Sequence, residues 1–269
     1  MKAFRGDQKI KDKYIERLKA HMLADEIIQG VGWNGHKGCA VGCTLEKYDH
    51  KRYPIELGLP VWVAHLQDRI HENLPDGEYQ KWPLRFLRAA PVGANVDKIK
   101  IPFLIWLLEA IALPSFDPKK YPDCKKAIDG VIVALRTGSG LKRAYAAADA
   151  AADADADADA ATAAAHAADA AAHAADAAAA DAAYAYAAYA AAADAAADAA
   201  ADADADADAA TAGAGAVYTA AVAGYADYAA DAADAADAAA DAADADAADV
   251  WQKIADKLVE MMEEGSDDF

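Results

Sequence analysis

Basic side chains are missing from the middle of this 269-residue chain. Residues 144 to 249 hold no Lys and no Arg, against 22 Asp. That absence excludes the segment from binding a nucleic acid backbone, because like charges repel. Cysteine is scarce as well: Cys39, Cys43 and Cys124 are the only three, which is no disulfide framework. The opening MKAFRGDQKI lacks an apolar h-region, so no secretory leader is expected. Long uncharged apolar runs are absent too. IPFLIWLLEAIA is too short to span a bilayer, and aspartates interrupt the alanine-rich tract every few residues. The expectation is a cytoplasmic, non-membrane protein. Runs of DAD lack the glycine turn and final Glu of a calcium loop, so only weak, diffuse divalent binding is expected of them.

What is present divides the chain into three parts. Residues 1 to 143 carry 24 Lys and Arg against 17 Asp and Glu, a mildly basic head. Residues 144 to 249 are almost wholly Ala and Asp, with alanine the strongest helix former. Residues 250 to 269 regain ordinary composition, and Val250, Trp251, Ile254, Leu258 and Met261/Met262 form an apolar helical stripe. In the head, apolar spacing predicts a helix from Asp7, as N-cap, to Gln29, and a second from Pro60 to Glu72. A short helix opens at Trp82-Pro83, IPFLIWLLEAIA reads as a buried core helix, and another helix ends at Arg136. No strand is strongly signalled. The predicted fold is all-α: a small helical head, an elongated Ala-rich helical lobe, and a C-terminal helix docking on the head. An Ala-rich face also fits pairing between chains, so a homo-oligomer is compatible with it.

The densest chemistry lies at residues 35 to 50, GHKGCAVGCTLEKYDH. Four readings fit it. A zinc site would use His36, Cys39, Cys43 and His50 as a borderline-soft N2S2 set. A thiol hydrolase would use Cys39 or Cys43 at a helix start, where the dipole lowers a thiol pKa. His50 or His21 would then be the base and Glu46, Asp49 or Glu56 would orient it. A binding site would gather Arg5, Lys37, Lys47 and Arg52 around a phosphate-bearing small molecule, with Trp33 stacking on a base and His21 lining the loop. The fourth reading is a structural knuckle. His21 and Asp25, four apart, would share one helix face. Zinc or nothing is the cofactor expectation.

The opening MKAFRGDQKIKDKYIERLKAHMLADEIIQG, the KGCAVGCT loop, His50, ELGLP and WPLRFLRAAPVGA together resemble a family of uncharacterised bacterial and phage-associated proteins. Its members join such an N-terminal domain to an alanine-rich helical middle and a short C-terminal helix. The resemblance is specific over residues 1 to about 95. It implies that Cys39, Cys43, His50, Glu56 and Pro60 belong to the recurring motif, and it brings no established activity. Interaction, scaffolding or ligand sequestration in a phage–host setting, with an unknown protein or a phosphate-bearing small molecule as partner, is the leading expectation. A Cys/His hydrolase and a structural zinc domain are the alternatives.

Overall fold

The computed structural model describes residues 1–115, 118–120, 122–140, 143–144, 146–148 and 247–265. Nearly all of the predicted Ala-rich lobe, residues 149 to 246 above all, lies outside these residues. The described chain is all-α, as expected: among the described residues there is no strand, only isolated bridges from Gly38 to Ile27 and Trp33. No described helix is long and apolar enough to cross a membrane.

Helix α1 spans Gln8–Leu23. The Asp7 side chain caps it by accepting from the Lys9 amide at 2.8 Å. Tyr14, Leu18 and His21 form its buried face at i, i+4, i+7. The helix stops six residues before the predicted Gln29. Asp25 takes a left-handed φ of 56°, and the chain leaves the helix in a loop of bends. That turn also breaks the expected His21–Asp25 pair, and His21 Nδ1 instead meets Glu26 Oε2 at 2.6 Å.

Short helices α2 (Ala40–Leu45) and α3 (Tyr53–Glu56) lead into α4 (Val61–Asn73). Pro60 precedes α4 in an extended conformation, where its missing N–H costs nothing. Helix α4 runs through the core with Trp62, Val63, Leu66 and Ile70 buried. Helix α5 (Trp82–Ala89) buries Trp82, Phe86 and Leu87, and Trp82 Nε1 donates to the Gln67 carbonyl at 2.9 Å. Helix α6 (Lys100–Leu107) continues as one π-helical stretch, Leu108–Ala112, and α7 covers Pro122–Thr137.

The C-terminal helix, Ala247–Glu264, packs against α4, α5 and α6. Val250, Trp251, Ile254, Leu258 and Met262 are buried in the single core, and Met261 is partly buried against it. Arg85 of α5 meets Asp256 at 2.6 Å across that seam. The predicted stripe and its docking on the head are both borne out.

Candidate metal centre

One loop carries the cysteines to α4. After α1 the chain closes a ring: the Gly38 amide donates to the Glu26 carbonyl at 3.1 Å, and the Ile28 amide to the Gly38 carbonyl at 2.9 Å. Gln29 then clamps this ring to the end of α4, donating from Nε2 to the His71 and Leu74 carbonyls at 2.7 and 2.9 Å. The Gly30 amide donates to Glu72 Oε2 at 2.7 Å. Cys39 follows as the N-cap of α2, its sulfur accepting from the Gly42 amide at 3.5 Å.

Glycine is required at 42 because α2 lies directly on the loop backbone. A Cβ there would stand 1.8 Å from the Gly32 carbonyl oxygen. Gly42→Ala is therefore expected to lower stability by at least the ~1–3 kcal/mol of an overpacked core and to displace Cys39. Gly130→Ala in α7, where a Cβ meets open space, is the control and is expected to raise the melting temperature slightly.

Opposite Cys39, three residues of α4 lie on one face at i, i+3 and i+7: His65, Asp68 and Glu72. With Tyr48, His50, Arg69 and Asn73 they line a cleft of about 690 Å³. Ligand atoms of Cys39, Asp68 and Glu72 all lie within 4.8 Å of one another, a cluster able to coordinate a metal ion.

Asp68 is the centre of this cluster and is only 8% exposed. Its Oδ2 accepts from Tyr48 Oη at 2.9 Å and from His50 Nε2 at 3.1 Å. An ionised carboxylate only accepts, so the His50 Nε2 carries a proton. The Cys39 thiol donates a hydrogen bond to the Gly32 carbonyl at 3.5 Å and also stands near Asp68, whose buried Oδ1 makes no close hydrogen bond. Burial works against ionising Asp68, but the donors around it, His50 foremost, hold its pKa below the usual value.

The thiols behave oppositely to the sequence expectation. Burial first, and then the Asp68 charge, push Cys39 well above the ordinary thiol range despite its place at a helix start. Cys43 is pushed up to about 12, chiefly by burial, and its sulfur donates to the Gly38 and Glu26 carbonyls at 3.2 and 3.5 Å. Neither is an activated thiolate, and helix position does not overcome burial.

The predicted sets are distributed as follows. Cys39 and His50 are brought together, but through Asp68 rather than as a thiol–imidazole pair. Glu56 lies elsewhere, accepting from Tyr14 and paired with Arg52. His36 is 71% exposed and meets Glu26 Oε1 at 3.1 Å. Cys43 is turned into the core, so His36, Cys39, Cys43 and His50 do not form one ligand group. Of the binding residues, His21 packs edge-on to Trp33 with ring centres 5.6 Å apart, and Lys37 donates to the Asp25 carbonyl at 3.1 Å. Arg5 belongs to the N-terminal turn, and none of these four lines the cleft. Sequence reasoning missed Asp68, Glu72, His65 and Tyr48. The 65/68/72 spacing within a predicted helix was the available signal for three of them.

No family model, curated protein or solved structure matches the chain.

Proposed function

We propose that the head binds one borderline-soft divalent cation, of which zinc is the type, between Cys39, Asp68 and Glu72. The cation ties the glycine-rich loop to α4, a structural role. The observation that carries this reading is Asp68: one carboxylate oxygen is fixed by two donors, and the other is buried, makes no close hydrogen bond and stands beside a thiol and a second carboxylate. A buried acceptor left without a partner costs free energy, and a cation removes that cost. The thiolate favours zinc over magnesium or calcium, which take oxygen ligands. Ligand atoms on tetrahedral zinc stand about 3.5 Å apart, so the cluster within 4.8 Å needs only a modest contraction.

The full chain titrated with Co(II) tests it. One equivalent is expected to give a thiolate-to-cobalt charge-transfer band, lost in Cys39→Ser and Asp68→Asn and kept in His36→Ala. That band, unlike total metal, is not produced by the aspartates of residues 144 to 249. No sulfur band, or one that survives Cys39→Ser, sinks the proposal.

A further inference from the structure

A tetrahedral cation held by Cys39, Asp68 and Glu72 has one position left. The cleft offers few groups to fill it. Tyr48 and His50 both donate to Asp68 Oδ2, so each already has a task in holding that carboxylate. Arg69 has no lone pair to give. Asn73 donates to the Arg69 carbonyl at 2.9 Å and offers only an amide oxygen, a hard donor.

His65 differs from all of them. It stands one turn before Asp68 on the same face of α4 and lines the same cleft. Its ring makes no hydrogen bond among the described residues. Its ring contact is a parallel stack on His50, with centres 4.1 Å apart and planes 5° from coplanar. Burial first, and then the neighbouring His50, lower its pKa to about 4. It is therefore a neutral imidazole with an available lone pair at neutral pH.

Charge also favours such a ligand. One thiolate and two carboxylates on a dication already sum to a negative site. A further anion would be repelled, whereas a neutral nitrogen is not. Imidazole suits zinc well.

Resting on the metal reading above, we infer that His65 is the fourth ligand of a closed Cys–His–Asp–Glu site. In the metal-free geometry His65 lies outside the 4.8 Å cluster. Uptake therefore requires its ring to turn off His50 toward the cation. The closed site then joins the start of α2 to two successive turns of one helix. With no exchangeable position, it holds structure and does not activate water.

Cobalt in the full chain distinguishes this from a three-ligand site. The wild type is expected to show the intense visible bands of tetrahedral Co(II), unchanged by added imidazole or azide. His65→Ala is expected to keep the sulfur band and lose the tetrahedral intensity. It should also lose at least the roughly 10–100-fold in affinity that outer-shell losses cost. Free imidazole is expected to restore the bands in the variant, which also demonstrates that the cavity has folded. X-ray absorption of the zinc-loaded wild type, independent of any variant, is expected to count one sulfur and one imidazole. A His65→Ala spectrum and affinity equal to wild type overturns the fourth ligand alone. So do azide-sensitive wild-type bands. A wild type with no sulfur band overturns the metal reading, and this inference with it.

Discussion

Deleting residues 247 to 269 is expected to leave a head that no longer unfolds cooperatively. The C-terminal helix buries Val250, Trp251, Ile254, Leu258, Val259 and Met262 against α4, α5 and α6. Full burial of each such side chain contributes about 1.5–3 kcal/mol. Six of them approach or exceed the ~5–15 kcal/mol by which a whole domain is stable. Their loss also uncovers apolar surface on α5, whose buried set includes Trp82 and Phe86. The measurement is thermal unfolding by circular dichroism, with gel filtration for aggregation. A truncated protein with a wild-type melting temperature would show that the helix merely lies on a finished core.

A point substitution separates packing from chain length. Trp251→Ala should cost about 3–5 kcal/mol, since Trp251 is 3% exposed in the core. Lys253→Ala, two residues on and exposed, should stay within about 0.5 kcal/mol. Equal melting temperatures for the two variants would remove the helix from the core.

That helix was legible because its signal is local. Apolar residues at 250, 251, 254, 258 and 261/262 declare a helix face whatever they pack on, and an apolar stripe that large has to be covered. The Asp7 cap was legible for the same reason. The end of α1 was not: Leu23, Ile27 and Ile28 continue a helical pattern, and only the left-handed Asp25 breaks it. Helix propensity there yields to the long-range bonds from Gln29 to α4.

The site shows the same division. His36, Cys39, Cys43 and His50 all stood out by residue type and by nearness in sequence, and only Cys39 and His50 meet at the cluster. Nearness along the chain failed because Cys39 caps α2 while Cys43, a turn later, reaches back into the 26–38 ring. Asp68 and Glu72 sat in a helix whose apolar residues alone drew notice. What makes them a site is the loop laid across α4 by Gln29 and by the bare backbone contact at Gly42, neither of which has a periodic signature.

Metal affinity is expected to climb about tenfold for each pH unit through the neutral range, because one proton leaves for each ion taken up. The sign follows from three titrating groups proposed to meet the ion, Cys39, Asp68 and His65. Burial, and then the Asp68 charge, raise the Cys39 pKa above its ordinary 9.0, so the free protein holds the thiol proton that the cation must displace. Asp68 is depressed, so it is already ionised and adds no slope near neutrality. His65, at about 4, is already neutral and adds none either. Calorimetry in two buffers of different ionisation enthalpy reads the proton directly, and a pH-independent affinity would remove Cys39 from the ligand set. The same raised thiol acts on stability in the opposite direction. A group whose folded pKa is raised contributes stability fully below its unfolded value and loses it as pH rises. The metal-free protein should therefore weaken above pH 9.0, with Cys43 adding to the loss as pH rises toward about 12. On the proposed reading zinc holds Cys39 as the thiolate, so the loaded protein should lose less stability over that interval. The gap between the two melting curves should widen with alkalinity, and a constant gap would mean that the bound ion does not touch the sulfur.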